Sequence, residues 1–594
     1  MSLCIYCCLG TLFFCDLFLF LSLFTAISPY FVLPCLVLVL LALGRLRIIR
    51  MFCQYGTLFL GKLPDILIAC LLASTLCLPE VVWGDTHLYH YPITRWLAEY
   101  GIIPGLGNLQ EAYANSHGWF VLTAFWDHGV LEGRMGAFGG SFVVTLLIFG
   151  LCSAIRGLSQ KHNNFANSVF LIAGTLVFLV LSTYHNILNS LSPDLMPQLI
   201  ILVCSWLWLN SSFGDRFRKN MALLLAAFVL GIRLSTAPLL LILGFFYLMK
   251  NPQHIYRCLG LLLLILIPPG LSTFLSSGCF FFPVPWFCLP SPASITEGTA
   301  QLMRLHIQEY SRWCGKKMPV GAQFLDWVPS WLECEYGSLF LVSGITFAWI
   351  LLLFLLLIHR PKLPGLKEII LIQIAGTWFV LYNAPATRYG VAWFCLGMAL
   401  PIAMVCKNYL RPPLFSVVLL LGYYWMQHPM RHEIKNFVFW DRYLAHTLFE
   451  KSAKASSQGD TFLAYILSNW ACTMDKGLHQ ACSDTLFYLG ELRPEDLLRI
   501  NSKEEDLIRN SITLPQRKNL PFILPFKANA SFKNLIELQD WEGISVTVPD
   551  SINIEGLCSS ARPPCIHKYR LSEIQLLKPE LGVVGGFKRA GFTP

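Results

Sequence analysis

The stretch Ala137-Phe-Gly-Gly-Ser-Phe-Val-Val-Thr-Leu-Leu-Ile-Phe-Gly-Leu-Cys-Ser-Ala-Ile155 decides the class of fold to which this chain belongs. It contains no charged residue, and its length is close to the roughly 20 residues that a helix needs to cross a bilayer. Similar runs recur along the 594 residues, of which 55% are hydrophobic and only 13% are charged. Soluble domains average about 25% charged residues, so the sequence predicts an all-α polytopic membrane protein.

The apolar runs predict a bundle of about 11–13 transmembrane helices. The first run lacks the basic start and the small-residue cleavage site of a signal peptide, so we expect it to be retained as a membrane helix. The predicted helices lie at 3–25, 29–45, 63–81, 137–155, 166–186, 192–210, 219–232, 236–250, 256–276, 337–358, 367–383, 389–405 and 413–427.

Basic residues indicate how these helices are oriented. They fall on alternate connections, and loops rich in Lys and Arg stay on the cytoplasmic side of a membrane. We therefore expect a protein of the inner (cytoplasmic) membrane with a cytoplasmic N-terminus. The loops 82–136 and 277–336 and the tail 428–594 are then external, or periplasmic. The basic connections are Arg45–Arg50, Arg156–His162, Asp215–Lys219, Lys250–Arg257, His359–Lys367 and Lys407–Arg411.

The sequence divides into a transmembrane domain, 1–427, and an external C-terminal domain, 428–594. The tail has a helical stretch at about 436–510 and a strand-like segment at Gly543–Pro549, which predicts a small α+β domain. An external compartment permits disulfides. The cysteines nearest to each other in the tail, Cys472 with Cys482 and Cys558 with Cys565, are expected to pair. The other external cysteines are Cys279, Cys288, Cys314 and Cys334.

The segment Trp83-Gly-Asp-Thr-His-Leu-Tyr-His-Tyr-Pro92 places ionisable groups where an apolar run ends in the first external loop. Such groups are expensive in hydrocarbon and therefore suggest a functional site. Asp85 has two interpretations: it caps the helix that follows, or it acts as a general base or metal ligand. His87 and His90 could join Asp85 around a metal, although histidines that are hydrogen-bonded at the interface fit the spacing better.

Other polar residues lie on the same predicted face. Asp194 begins a helix and is either an ordinary cap or a second functional carboxylate. Arg233 separates two short apolar runs, where it must meet a carboxylate, an anionic headgroup or water. Arg388 begins another helix, and two arginines there either hold a lipid phosphate or extend to ordinary headgroups. The amphipathic segment Thr94–Tyr100 predicts an interfacial helix, and the loop 277–336 predicts a second segment that lies along the membrane surface.

These residues carry a resemblance to a family of uncharacterised bacterial multi-pass membrane proteins that are similar to GT-C glycosyltransferases. Ala112 stands where that family has a basic residue, and Arg233 where it has Lys. The similar elements are Asp85 with Tyr89-His90, Trp96, Glu99-Tyr100-Gly101, Gly105-Leu-Gly-Asn-Leu109, Trp119-Phe120, Ser192-Pro-Asp194, Arg233-Leu-Ser235, Ser277-Gly278, Ala384-Pro385 and Arg388.

The resemblance implies a GT-C-like bundle that transfers a sugar from a polyprenyl-phosphate-linked donor to a glycan, lipid or protein acceptor of the cell envelope. Asp85 would be the catalytic base or a metal ligand, assisted by Asp194 and His90. Arg233 and Arg388 would bind the donor phosphate. A divalent metal is possible, with Asp85 and His87 as ligands, and Tyr89 and Trp96 would stack on the substrate. Membrane lipids, and not nucleic acid, are the expected partners.

Two other functions fit the same sequence. Short helices and intramembrane charges also occur in transporters and lipid flippases. However, the polar residues gather at one predicted face rather than near the midplane of the bilayer. A non-catalytic scaffold that presents the tail to envelope polysaccharide is the third possibility.

Overall fold

The computed structural model describes most of the transmembrane part of the chain and three short stretches of the tail. Two compact units are formed, one from Met1–Val417 with Leu520–Pro594 and the other from Val418–Asn519. All described residues belong to the first unit. They are 1–34, 59–76, 81–406, 536–541, 544–549 and 574–589, with gaps at 82, 84, 116–117, 134, 161–163, 183–186, 212–214, 314–317, 320, 324, 335–341, 343, 347–348 and 354–362.

The described part is mostly helical, and its helices coincide with most of the predicted apolar runs. The predicted helix 413–427, and the greater parts of those at 29–45 and 337–358, lie outside the described residues. The helices are α1 (Ser2–Ser22), α2 (Leu63–Leu76), α3 (Tyr91–Glu99), α4 (Phe120–Trp126), α5 (Phe138–Ser159), α6 (Asn164–Ser182), α7 (Leu195–Leu209), α8 (Arg216–Leu230), α9 (Ala237–Lys250), α10 (Ile255–Ser277), α11 (Glu297–Trp313), α12 (Trp327–Cys334), α13 (Leu366–Asn383) and α14 (Thr387–Cys406).

Five described helical segments are long and apolar enough to cross a membrane. This supports the prediction of a membrane protein, while the total of about 11–13 spans stays a prediction. Shorter apolar helices lie at Leu63–Ser74, Leu195–Leu209 and Leu234–Lys250, among others. The five long segments are Ser2–Ser22, Met135–Ser159, Phe165–Ser182, Pro252–Ser277 and Thr387–Val405.

The core of the bundle is built around α6 and α14, which pack along each other. The helix α5 packs on α6 and α2, and α7 packs on α6, α8 and α14. Glycine allows α13 to approach α14 closely: a Cβ at Gly376 would lie 2.3 Å from the ring of Trp393, which is fully buried. Small residues at such crossings let helix backbones approach in the absence of a hydrophobic driving force.

The first loop folds back on the bundle and is held together by a buried ionic group. Arg95 donates to Asp127 at 2.9 Å, to Glu99 at 2.7 Å and to Glu132 at 3.0 Å. The hydroxyl of Tyr91 donates to the other oxygen of Asp127 at 2.7 Å. Although burial lowers the pKa of Arg95, the Asp127 carboxylate raises it above its ordinary value, so the guanidinium stays charged. These contacts join α3 to the turn after α4.

A ribbon near the C-terminus packs on the first loop. The strands β3 (Ile574–Leu576) and β4 (Phe587–Arg589) form an antiparallel ribbon, and the amide of Phe587 donates to the carbonyl of Pro104 at 2.9 Å. Gly105 has a φ of 69°, and a Cβ there would lie 2.0 Å from the carbonyl oxygen of Phe587. The Gly-Leu-Gly-Asn element therefore has a structural role, because only glycine permits this approach. Asn108 donates to the same carbonyl at 3.4 Å.

A second ribbon pairs β1 (Ile536–Trp541) with β2 (Ile544–Pro549), and β2 coincides with the predicted strand-like segment Gly543–Pro549. The predicted helical stretch at about 436–510 lies outside the described residues. Elsewhere, a disulfide joins Cys279 to Cys288 in the second long loop. The cysteines for which we predicted local pairs, Cys472, Cys482, Cys558 and Cys565, lie outside the described residues.

Candidate functional site

Two acidic and two basic residues, which we call the charge cluster, meet where four segments of the first unit come together. Arg388 donates to Asp85 at 2.8 Å, and Arg233 lies 2.7 Å from Asp194. The Nε atom of Arg388 lies 3.8 Å from the second oxygen of Asp194, which links the two pairs. The structure thus assembles residues that lie up to 303 positions apart in the sequence.

Asp85 precedes a single π-helical turn, Thr86–His90, which leads into α3. Among the described residues its carboxylate makes no capping hydrogen bond and pairs with Arg388 instead. The turn is fixed to the segment before α7, because the amide of Leu191 donates to the Thr86 hydroxyl at 3.3 Å. Single π-helical turns are frequent at functional sites. The geometry therefore favours a functional carboxylate at Asp85 over a helix cap.

Asp194 also makes no side-chain capping bond within the described part of the chain, although it begins α7. Its Oδ2 atom accepts a hydrogen bond from Ser192 at 3.1 Å, and its side chain is only 3% exposed. A buried carboxylate needs such partners, because unpaired burial of a charge is expensive. Asp194 is therefore the enclosed member of the cluster that joins Arg233 to Arg388.

Arg233 lies in the turn between α8 and α9, where its backbone is extended. We expected this residue to meet a carboxylate, a headgroup or water, and the structure provides the carboxylate of Asp194. Its guanidinium also lies over the ring of Tyr389, 5.6 Å from the centroid. The side chain keeps 23% of its surface exposed, so it can reach a ligand as well as its partner.

Aromatic rings surround the guanidinium of Arg388. The centroids of Tyr389, Trp83 and Tyr310 lie 5.0, 5.2 and 5.7 Å from its Cζ atom, within the range of cation–π attraction. Its Nη2 atom also donates to the Tyr389 hydroxyl at 3.0 Å. Sequence reasoning did not assign these three rings to the site. Two of them were signalled by their positions, since Tyr389 follows Arg388 and Trp83 precedes Asp85 by two residues.

Tyr89 lies close enough to the cluster to respond to its charges. Burial and the Asp85 carboxylate raise the pKa of its phenol well above the ordinary value, while Arg233 and Arg388 act in the opposite direction. The phenol therefore stays protonated at neutral pH and can donate a hydrogen bond. Its ring packs on that of His90, with centroids 4.3 Å apart.

The other predicted site residues have different surroundings. His90 is 1% exposed, stacks on Phe120 and has its Nδ1 atom 3.4 Å from the Thr86 hydroxyl. Trp96 is 2% exposed and packs on Tyr100 and Phe587. Both rings are thus enclosed by protein, which leaves little surface for a substrate. The side chain of His87 lies outside the described residues.

The members of the cluster differ in their access to solvent. The side chain of Asp85 is 27% exposed and that of Arg233 is 23% exposed, whereas Arg388 is 7% exposed. Two carboxylates face two guanidinium groups, so the formal charges cancel. An anionic ligand would therefore compete with Asp85 or Asp194 for an arginine. Asp85, the most exposed carboxylate, is the partner that it could most easily replace.

The donor set does not suit a divalent metal as it stands. No described group of three or more His, Cys, Asp or Glu side chains could hold a metal ion. Each carboxylate of the cluster is already paired with an arginine. The positive charges of these arginines repel a metal cation. The metal predicted at Asp85 and His87 stays a prediction, because the side chain of His87 lies outside the described residues.

Comparison with known families assigns the chain to one of them. The model of a domain of unknown function, DUF8201, matches residues 1–395. The chain belongs to the DUF8201 family. The DUF8201 region contains all four members of the charge cluster and the three rings around Arg388, whereas the C-terminal ribbon lies beyond it. No curated protein and no solved structure matches the chain.

Proposed function

We propose that the chain is an integral membrane glycosyltransferase that takes a sugar from a polyprenyl-phosphate-linked donor, as its resemblance to GT-C enzymes implies. The observation that carries the proposal is the charge cluster. It brings an accessible carboxylate, Asp85, within hydrogen-bonding distance of an arginine suited to bind phosphate. The acceptor would be a glycan, lipid or protein of the cell envelope.

The location of the reaction is part of the proposal. The basic connections favour an arrangement in which the segments that carry the cluster lie on the external face. The disulfide between Cys279 and Cys288 supports the same side, because disulfides persist in oxidising compartments. The second long loop, which contains this disulfide, also supplies Tyr310 to the surroundings of Arg388. A donor headgroup at the outer leaflet would meet the cluster there.

The geometry suggests a distinct role for each member. Donor phosphate would bind Arg388 and Arg233, and the competition for Arg388 would release the Asp85 carboxylate. Asp85 would then take the proton of the acceptor hydroxyl while the acceptor oxygen forms its bond to the anomeric carbon. The bond from that carbon to the phosphate oxygen breaks, and the electron pair leaves with the polyprenyl phosphate. The arginines stabilise the charge that develops on this leaving group.

The remaining residues would position the reacting groups. Asp194 holds Arg233 and Arg388 in place from its buried position. The protonated phenol of Tyr89 can donate a hydrogen bond to the sugar or the phosphate. Tyr310 and Tyr389 offer ring faces on which a sugar could pack, whereas Trp83 is only 6% exposed and packs against the Arg388 guanidinium. His90 supports the π-helical turn from the inside.

A complementation experiment tests the proposal. Cells that lack the gene are compared with cells that carry the native chain, Asp85→Asn or Glu111→Gln, and their envelope glycans and polyprenyl-linked sugars are measured by mass spectrometry. We expect the native chain and Glu111→Gln to restore a missing product. Asp85→Asn should lose about 10²–10⁴-fold in transfer, the usual contribution of a general base.

The experiment is decisive only if the variants are present at equal amounts in the membrane. Glu111 is a suitable control because it is an acidic residue of the same loop outside the cluster. Full restoration by Asp85→Asn would reject the catalytic role of this carboxylate. An unchanged glycan and lipid profile on deletion would reject the transferase itself.

A further inference from the structure

The segment after α10 forms a short hairpin, residues 278–289, which we call the finger. The amide of Leu289 donates to the carbonyl of Gly278 at 2.8 Å, and the amide of Phe280 donates to that of Phe287 at 3.0 Å. Between these two bonds the disulfide joins Cys279 to Cys288. The finger is therefore a closed, covalently linked element and not an open connection.

The two sides of the finger have opposite surroundings. One side packs into the protein: Cys279 is fully buried and Phe282 is 5% exposed, in a cluster with Ala114 and Ile295. The other side is open, because Trp286 is 81% exposed and Phe287 is 48% exposed. Leu289, at the base of the finger, is 53% exposed. An apolar patch of this kind indicates an interaction site.

The sequence around the patch favours lipid as its partner. No charged residue occurs from 258 to 296, so the uncharged stretch runs from α10 through the finger without interruption. The segment Pro252–Ser277 is one of the five that are able to span a membrane, and only Gly278 separates it from the disulfide. An exposed Trp close to the end of a spanning helix is typical of the membrane interface.

The direction of the finger is fixed at its base. Gly278 has a φ of 80°, and a Cβ there would lie 2.2 Å from the Cβ of Ser294. The turn is thus restricted to glycine, and it directs the chain away from the axis of α10. At the other end, the Cζ atom of Arg304 lies 5.7 Å from the ring centroid of Trp286. An arginine beside an interfacial Trp is well placed to meet lipid phosphate.

We propose that the finger is an interfacial anchor, and that Trp286, Phe287 and Leu289 insert into the bilayer surface at the end of α10. The anchor holds the start of α11, the helix that carries Tyr310 to the ring group around Arg388. Lipid contact at the finger therefore restrains the loop that supplies Tyr310 to the surroundings of Arg388. This inference does not depend on the transferase activity.

Footprinting of the full-length protein in lipid nanodiscs tests the proposal. Hydroxyl radicals report water contact, and a phospholipid with a photoactivatable group near its glycerol backbone reports lipid contact. We expect Trp286 to be labelled by the lipid and protected from oxidation. Met318 and Leu325, exposed residues of the same loop beyond α11, should be oxidised and remain without lipid label. Oxidation of Trp286 as fast as Met318, with no lipid label, would overturn the proposal.

A double variant, Trp286→Ser with Phe287→Ser, provides a second measurement. Its side chains are exposed in the native chain, so folding should persist, while the lipid label on the finger is lost. Cys279→Ala with Cys288→Ala should reduce the label, because the hairpin is then no longer closed. Cross-links from the finger to a second copy of the chain, in place of lipid, would show a protein interface and reject the anchor.

Discussion

The side-chain oxygen of Gln198 accepts a hydrogen bond of 2.8 Å from the amide of Ala392. The amide nitrogen of the same side chain donates to the carbonyl of Arg388 at 3.1 Å and to that of Tyr389 at 3.3 Å. Gln198 thereby fixes the first turn of α14 to α7. Asp194 lies one turn earlier, at the start of α7. The same helix therefore sets the positions of two members of the cluster, Asp194 and Arg388.

We predict that Gln198→Ala destabilises the protein by about 1–3 kcal/mol, since it leaves buried backbone groups without partners. Unfolding by titration with a denaturing detergent in mixed micelles measures the change. Ser205→Ala on the same helix is the control, because within the described part of the chain its hydroxyl bonds to the Ile201 carbonyl one turn earlier and to no distant helix. That variant should be nearly neutral. Equal stability of the two variants would contradict the role of Gln198.

The pair of Asp194 and Arg233 should show strong coupling in a double-mutant cycle. Removal of one partner from a buried pair costs about 3–5 kcal/mol, because the other charge is left uncompensated. The double variant Asp194→Ala with Arg233→Ala should therefore be more stable than the sum of the single changes implies. The pair of Asp215 and Arg218 is the control, because its arginine is 42% exposed and its carboxylate 21% exposed, against 3% for Asp194, and its coupling should be about 0–1 kcal/mol.

The ionic group of the first loop predicts a third result. Asp127→Ala should destabilise the protein by about 3–5 kcal/mol, since it removes the main partner of the buried Arg95. It should also make the loop 82–136 sensitive to limited proteolysis. Glu132→Gln is the control, because this side chain is 32% exposed. Its cost should be about 0–1 kcal/mol, and an equal cost for both variants would show that Asp127 is not the main partner of Arg95.

The contact of the C-terminal ribbon with the first loop predicts a fourth result. Phe587 is fully buried, so Phe587→Ala should cost about 3–5 kcal/mol. Hydrogen exchange should rise in the turn Pro104–Asn108 as well as in β3 and β4. Val584→Ala, at a position that is 57% exposed, should leave the exchange unchanged. Faster exchange in the ribbon alone would show that the turn does not depend on it.

Much of the membrane part could be predicted from the sequence. The apolar runs in the sequence have about the same length as the helices. Runs such as 137–155 and 389–405 therefore coincide with α5 and α14 to within a few residues. The distribution of basic loops also predicted that Asp85, Asp194, Arg233 and Arg388 lie on one face, and the structure brings the four together in the charge cluster. Which arginine pairs with which carboxylate depends on how distant helices pack. No local pattern carries that information.

Two features show why the rest could not be foreseen. The segment Thr94–Tyr100 is amphipathic and suggested an interfacial helix, but Trp96 is enclosed because Phe587, almost 500 positions away, covers it. Cys279 and Cys288 are separated by nine positions, as close as the tail cysteines that we chose for local pairs. Sequence separation alone did not show which cysteine pairs form disulfides. The hairpin that brings Cys279 and Cys288 together depends on the turn at Gly278.

The separation of Asp85 from Arg388 has a consequence for biosynthesis. When the ribosome has made the chain as far as Arg233, three members of the cluster exist, with two negative charges and one positive. The excess carboxylate stays uncompensated until Arg388 emerges, 303 positions after Asp85. A chain that stops earlier therefore carries an unbalanced charge beside its membrane helices. This imbalance distinguishes a truncated product from a finished one.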